Sequence, residues 1–167
     1  GTLGVITKAV LKLIPNPACT WTLLAAFKSE VQALAAVRAL VKQRVIPSIL
    51  EFLDSESVLC AESRTGKPLY PGGGRSAVLL LELDGDKISL NKDRKAVLAW
   101  VKDRATRYSE TYDAEKAEEL WQVRRQGSPA MYELGNTKLN EDIVVPLRNQ
   151  SALIKFVMQL KRGSGLA

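Results

Sequence analysis

The amino-acid sequence predicts an α+β fold: a ferredoxin-like antiparallel sheet with helices on one face, followed by C-terminal helices. The main observation is the order of the sequence patterns. Between residues 20 and 112, segments with strand-like alternation and segments with apolar residues at helical spacing follow each other as β-α-β-β-α-β. The chain is 167 residues long and 46% hydrophobic, which suffices for one domain with a buried core and a short piece of a second.

The first half of the predicted sheet is a β-α-β unit. Residues 20–27 have the pattern of a strand, and Ser29 with Gln32 three residues later forms a capping box that starts a helix. The helix extends to about Gln43, and residues 46–53 resume the strand pattern. The apolar residues of this helix fall at helical spacing: Val31, Leu34, Val37 and Val41.

The second half of the sheet begins with residues 77–83, which are nearly all apolar, as is typical of a central strand. A helix over residues 91–106 and a short strand over residues 108–112 complete the pattern. The glycine run at residues 72–74 precedes a strand rather than the N-terminus of a helix. It is therefore not interpreted as a phosphate-binding loop.

Further helices are predicted after the sheet. Asp113 is expected to cap a helix that Ser128 and Pro129 interrupt. Residues 143–145 have the pattern of a brief strand, and residues 151–161 have that of an amphipathic helix. The apolar stripe of this last helix is interpreted as core rather than as a partner site.

The N-terminal segment is predicted to be a strand outside the main domain. Residues 4–14 are rich in Val, Ile and Thr, and Pro15 and Pro17, which follow them, are typical of a linker. Residues 1–16 are therefore interpreted as separate from residues 17–167. Because the chain opens without a Met, we interpret it as an excised piece of a longer protein.

Composition limits the classes of function. The chain has no histidine, so it lacks the commonest metal ligand and the usual general base near neutral pH, and no metal site is predicted. Cys19 and Cys60 lie far apart and outside any CxxC pattern, which favours a reducing, cytoplasmic compartment. No apolar run approaches the roughly 20 residues of a membrane span, and peripheral attachment to a membrane stays open. The net charge of +6 is scattered rather than clustered.

One arginine lies on an apolar helix face. With about 100° of turn per residue, Trp121, Arg124 and Ser128 fall on the same side as Leu120. Burying a guanidinium is costly unless it meets an anion, so a carboxylate partner is expected. The spacing leaves two partners open, an Asp or Glu of the same chain, which is the commoner case, and a ligand. Arg125 lies toward the edge of the stripe and is expected to be solvated.

Four stretches together resemble the FAD-linked oxidases related to the glycolate oxidase flavoprotein subunit, D-lactate dehydrogenase and D-2-hydroxyglutarate dehydrogenase. Gly-Thr-Leu-Gly-Val-Ile-Thr at residues 1–7 is similar to the segment that ends the flavin domain in that family. Residues 79–85 resemble its central strand, residues 120–124 its Leu-Trp-x-x-Arg helix, and residues 141–146 the strand that follows. The order and spacing of the four stretches carry the resemblance.

The resemblance implies FAD as the cofactor of the full-length parent, held mainly by a domain that this chain lacks. Gly1, Thr2, Gly4 and Ile6 are implied to contact the flavin, and glycine suits such a place because a residue without a Cβ lets the backbone approach a ligand closely. Without the resemblance, this stretch would be interpreted as an ordinary turn before a strand. FAD is not expected to bind this fragment alone.

The resemblance also implies substrate-binding residues. Arg124 corresponds to the family arginine that binds a substrate carboxylate, and Ser128 to a small hydroxyl residue that assists it in some relatives. Lys138 is the nearest candidate for an assisting lysine, although its spacing to Pro146 differs from that of the family. No residue of the chain is predicted to be catalytic, and none to bind a metal.

The implied function is part of an FAD-dependent dehydrogenase or oxidase of 2-hydroxy acids, of the glycolate or D-lactate type. Residues 1–16 would be the terminal strand of the missing FAD-binding domain, and residues 17–167 the substrate domain, truncated before its histidine-containing metal segment. The fragment alone is predicted to be inactive. Its expected partners are the 2-hydroxy acid, an electron-acceptor protein and, through the exposed strand, a second copy of itself.

An alternative is a free-standing ferredoxin-like regulatory or nucleic-acid-binding module, because the same fold hosts many functions. An RNA-recognition sheet needs exposed aromatic residues on its central strands, and residues 77–83 contain none. Nucleic acid is therefore not expected as a partner.

Overall fold

Four strands form a single antiparallel sheet in the spatial order β2-β3-β1-β4. The computed structural model describes residues 3–70, 72–135, 137–138 and 142–164. In chain order its strands and α-helices are β1 Cys19–Phe27, α1 Glu30–Lys42, β2 Ile49–Leu53, α2 Ser55–Thr65, β3 Ala77–Gly85, α3 Lys87–Val101, β4 Arg107–Thr111, α4 Ala114–Ala130 and α5 Gln150–Ser164. This order and pairing confirm the predicted ferredoxin-like arrangement, with α2 as an addition between its second and third strands.

Short polar side chains start the helices where the sequence predicts. The Ser29 hydroxyl accepts a hydrogen bond from the Gln32 backbone N–H at 3.3 Å and caps α1. Asp113 caps α4 by accepting from two backbone N–H groups of its first turn. The predicted interruption at Ser128 is wrong, because α4 continues through Pro129 to Ala130. Pro129 has no N–H to donate to the carbonyl four residues earlier, but the helix ends one residue later, so only its last turn is affected.

Helices cover both faces of the sheet. On one face α1 and α3 pack over the side chains of β1 and β3, and this core includes Trp21, Phe27, Leu81 and Val97. On the other face α2 and α4 cover a second core that includes Leu24, Val58, Leu80 and Val123. The sequence predicted that both helices of the ferredoxin-like unit lie on one face of the sheet, and α1 and α3 do so, whereas α2 and α4 cover the other face. The central strands are buried on both sides, which explains why residues 77–83 are nearly all apolar.

The segment before β1 is exposed and has no regular secondary structure over residues 4–17. A strand needs a neighbour for its backbone hydrogen bonds, and none of the described residues pairs with this segment. Its large apolar side chains lie in solvent: Leu3, Val5, Ile6, Val10, Leu11, Leu13 and Ile14.

Deleting residues 1–16 should change the free energy of unfolding of the rest by less than about 1 kcal/mol, because exposed side chains contribute no buried area. The same deletion should reduce self-association, since it removes a contiguous apolar surface. Urea denaturation and sedimentation of both chains at equal concentration measure the two effects. A loss of several kcal/mol would place the segment inside this domain.

The region before α5 is also irregular. Residues 142–146 carry no strand, and Ile143 and Val144 are exposed, so the brief strand predicted at residues 143–145 is not present. Over the described residues, no helix combines the length and the apolar character that crossing a membrane would require.

Candidate functional site

Three polar side chains share the face of the sheet that α4 covers. Glu51 of β2 pairs with Leu80, and Glu82, two residues further along β3, pairs with Ile49. Thr22 of β1 pairs with Glu82 from the other side. Side chains alternate along a strand, so both carboxylates and the Thr22 hydroxyl point toward the same face as Leu80. Thr22, Glu51 and Glu82 therefore form a polar patch on this face of the sheet, under α4 and beside the second core.

Trp121 fixes α4 above this patch. Its indole Nε1 donates a hydrogen bond to Glu82 Oε2 at 3.2 Å, and the Thr22 hydroxyl donates to the same oxygen at 3.3 Å. Val123 is buried in the second core, where the helix packs against the sheet and α2. With its helix held in this way, Arg124, three residues after Trp121, is presented over β2.

Arg124 meets a carboxylate of its own chain. Its Nη2 donates to Glu51 Oε2 at 2.7 Å, and the side chains of Arg124 and Glu51 are 39% and 33% exposed. The expectation of a buried guanidinium is therefore wrong, because α4 is turned so that Val123, Gly127 and Ala130 are its buried residues. The expectation of a carboxylate partner is met within the chain, and the exposed part of the guanidinium remains accessible to solvent.

Ser128 and Lys138 lie together beyond Arg124. The Lys138 ammonium donates to the Ser128 carbonyl oxygen at 3.2 Å and also to the Ser128 hydroxyl. It lies 5.9 Å from the centre of the Tyr132 ring. The structure thus brings Ser128 and Lys138 into contact, and Ser128 lies one helical turn from Arg124.

Arg125 has a different environment. It is exposed and pairs with Glu118 on the surface of α4. This agrees with its expected position at the edge of the stripe. Arg125 is therefore a matched control for Arg124, since both arginines lie on one helix and each pairs with a glutamate.

Sequence reasoning missed Glu51 and Glu82. Each is an acidic residue inside a strand whose pattern is otherwise apolar, at residues 46–53 and 77–83. A charged residue at such a position is buried only with a partner, and this signal could have identified both as partners of a helix above the sheet.

A second polar cluster lies on the opposite face of the sheet. Arg94 of α3 donates from Nε and Nη2 to the two carboxylate oxygens of Glu110 at 2.6 and 2.7 Å. The Trp21 indole donates to Glu110 Oε2 at 2.7 Å, and the Arg94 guanidinium lies 5.9 Å from the Trp21 ring centre. This paired and stacked geometry joins α3, β1 and β4, and we interpret it as structural.

A family model described as FAD linked oxidases, C-terminal domain, matches residues 16–167. The chain belongs to this family. It is 32% identical over 160 residues to the glycolate oxidase subunit GlcD of Bacillus subtilis, covering 94% of this chain and 33% of that protein. It is 29% identical to the GlcD of Escherichia coli, covering 97% of this chain and 32% of that protein. It thus spans about a third of the length of these relatives.

Two other similar proteins match a shorter part of the chain or have a lower sequence identity to it. A D-lactate dehydrogenase of Anaerostipes hadrus is 34% identical over 90 residues, covering 52% of this chain and 19% of that protein. A solved structure of alkyldihydroxyacetonephosphate synthase superposes with a TM-score of 0.67 at 18% identity, covering 98% of this chain and 35% of that one. The structural likeness shows a common fold.

FAD is the cofactor of this family, and the described residues by themselves do not form a site that fits it. Gly1 and Thr2 lie outside the described residues. Ile6 is 89% exposed, and no heavy atom lies within 4 Å of the Cβ position of Gly4, so neither residue belongs to a cradle. A depression of about 480 Å³ between α1 and α3 is open to solvent and includes neither residue. The two described residues of this set, Gly4 and Ile6, are therefore not packed against Arg124 or its neighbours.

The isolated chain should therefore be colourless after purification. An enclosed site is needed to bury most of a ligand as large as FAD, and the described residues lack one. The absorbance between 350 and 500 nm after incubation with FAD and gel filtration checks this. A flavin spectrum with one FAD per chain would contradict it.

No group of three or more His, Cys, Asp or Glu side chains in the described part of the chain is placed to hold a metal ion. Cys19 and Cys60 are both free thiols.

Proposed function

We propose that this chain is the part of an FAD-dependent dehydrogenase or oxidase of 2-hydroxy acids that binds the substrate carboxylate. Arg124 is the main contact, and Ser128 and Lys138 assist it. The observation that carries the proposal is the half-exposed guanidinium of Arg124, which lies on α4 and, among the residues that the structure describes, has a hydrogen bond at one nitrogen, Nη2. An arginine in this state offers a planar pair of donors to an incoming carboxylate.

The names of the relatives support 2-hydroxy acids as the class of substrate. One relative is a glycolate oxidase subunit and another is a D-lactate dehydrogenase, and glycolate and D-lactate are both 2-hydroxy acids. The substrates have a carboxylate beside the hydroxyl-bearing carbon. A residue that holds the carboxylate therefore also orients the carbon that is oxidised.

The residues of this chain bind and orient the substrate. The Arg124 guanidinium takes the carboxylate, and the Ser128 hydroxyl, one turn away, accepts a hydrogen bond from Lys138 and can still donate its own hydrogen to the substrate. The Lys138 ammonium adds positive charge at the same end of α4. The electron acceptor lies outside the described residues, and this chain alone is proposed to be inactive.

We also infer that residues 1–16 belong with the FAD-binding part of the full-length protein. The family match begins at residue 16, and the apolar side chains before it contact little of this domain. Within a flavin domain these side chains would find the neighbours that they lack here. The relatives named as subunits suggest a complex with other chains, and the partner that accepts electrons is part of this proposal.

The alternative nucleic-acid-binding function is disfavoured by the fold. A sheet that stacks bases needs an open face, whereas helices cover both faces of this one and bury β1 and β3 on each side.

The test of the proposal compares Arg124→Lys with Arg125→Ala in the full-length, flavin-loaded protein. The measurement is kcat/KM for glycolate and for D-lactate. A selective loss in Arg124→Lys supports the proposal, and equal losses in the two variants contradict it.

A further inference from the structure

We propose that Glu51 is a positioning residue for Arg124: it holds the guanidinium by one nitrogen and leaves a complete two-pronged edge open to the substrate carboxylate. This inference rests on the proposed function of Arg124. It adds a residue from β2, 73 positions away along the chain, to a site otherwise built from α4 and the segment after it.

The geometry of the contact leaves half of the guanidinium available. In the described part of the chain, Nη2 is the one nitrogen of Arg124 with a hydrogen bond, and its acceptor is Glu51 Oε2. The two hydrogens of Nη2 belong to different edges of the guanidinium, one shared with Nε and the other with Nη1. A single acceptor on Nη2 thus occupies one edge only. The other edge keeps the parallel pair of donors that a carboxylate binds best.

The neighbouring carboxylate, Glu82, has other partners. Glu82 Oε2 already accepts hydrogen bonds from the Trp121 indole and the Thr22 hydroxyl. The two carboxylates therefore have different roles: Glu82 holds α4 through Trp121, and Glu51 holds the Arg124 side chain.

Glu51 is suited to positioning because its backbone is rigid. It lies within β2, which is paired along its length with β3, and its side chain is two-thirds covered. Without such a partner, the long side chain of an arginine samples many rotamers and must be ordered when the ligand binds. Ordering a side chain of this kind reduces binding by roughly 3- to 10-fold.

The experiment measures kcat/KM for D-lactate or glycolate, per bound flavin, in the full-length protein. Glu51→Ala should lower kcat/KM by roughly 3- to 10-fold, because Arg124 loses its partner. Glu51→Gln, made separately, should keep kcat/KM within about 2-fold of the wild type, since the amide oxygen still accepts the hydrogen bond. Glu118→Ala, which removes the partner of Arg125, is the control and should leave kcat/KM unchanged. If Glu51→Ala does not fold, Glu51→Thr, with a short side chain suited to strands, takes its place.

A double variant separates this inference from the function on which it rests. Once Arg124→Ala has removed the guanidinium that Glu51 holds, adding Glu51→Ala should lower kcat/KM no further. The inference is overturned if Glu51→Ala raises kcat/KM or leaves it unchanged, if Glu51→Gln loses as much as Glu51→Ala, or if the losses in the double variant multiply. If Arg124→Lys itself leaves kcat/KM unchanged, the proposed function fails, which is a different outcome from failure of the positioning role alone.

Discussion

Replacing Arg124 by lysine should lower kcat/KM for the 2-hydroxy acid by roughly 30-fold, which corresponds to about 2 kcal/mol of lost transition-state stabilisation. A lysine ammonium keeps the charge but cannot form two parallel hydrogen bonds to one carboxylate. The half-exposed position of Arg124 places the expected loss at the lower end of the values known for charge-assisted contacts. Steady-state kinetics of the full-length, flavin-loaded protein with glycolate and D-lactate give the value.

The fold should survive this substitution. Lysine can still pair with Glu51, so the melting temperature and the flavin content of Arg124→Lys should stay close to those of the wild type. Arg125→Ala removes an exposed surface pair and should lose less than about 3-fold in kcat/KM. If Arg124→Lys mainly unfolded the protein, the pair with Glu51 would be structural and Arg124 would not be a substrate contact.

Replacing Glu110 by alanine should lower the free energy of unfolding at pH 7 by about 3 kcal/mol. The substitution leaves the Arg94 guanidinium and the Trp21 indole without their shared acceptor, and both side chains of the Arg94–Glu110 pair are about three-quarters covered. A largely covered charge without a partner costs more than the net value of the pair that it formed. Urea denaturation of the isolated chain measures the loss. Glu110→Gln should lose less, because its amide oxygen still accepts the hydrogen bond from Trp21.

The contribution of Glu110 should depend on pH. Partial burial by itself raises the pKa of this carboxyl, but the hydrogen bonds from Arg94 and Trp21 outweigh it and hold the pKa below its ordinary value. A carboxyl whose pKa is lower in the folded than in the unfolded chain stabilises the fold above the unfolded pKa. That stability is lost as the pH falls through the folded pKa. The difference in unfolding free energy between the wild type and Glu110→Gln should therefore shrink below about pH 4. A difference that stays constant from pH 7 to pH 3 would contradict this account.

The local signals of the sequence were sufficient for much of the fold. Ser29 and Asp113 cap helices as predicted, because a cap depends on backbone groups only two or three residues away. The apolar run at residues 77–83 indicated a central strand, since a strand buried on both faces has no polar side to show. The order of elements then left few arrangements open, and the ferredoxin-like sheet is one of them.

The resemblance of short stretches of the sequence to the FAD-linked oxidases also identified Arg124, Ser128 and Lys138 as candidate substrate-binding residues. The structure brings the last two into contact and places Arg124 one turn away on the same helix. Their role in substrate binding remains a prediction. Spacing alone could not tell which anion Arg124 meets, because that depends on which strand lies beneath α4.

What the sequence by itself determined is the order of the four strands and of the two helices between them, together with the caps at Ser29 and Asp113, because these depend on periodicity and on neighbours a few residues away. Only the tertiary structure decided that Glu51 meets Arg124 across 73 positions and that Trp121 holds α4 to Glu82. It also decided that residues 4–14, although patterned as a strand, form none here. The physical reason is common to all three. A strand, an ion pair or a hydrogen bond exists only with a partner, and the partner is set by the register of the sheet and the rotation of the helix above it.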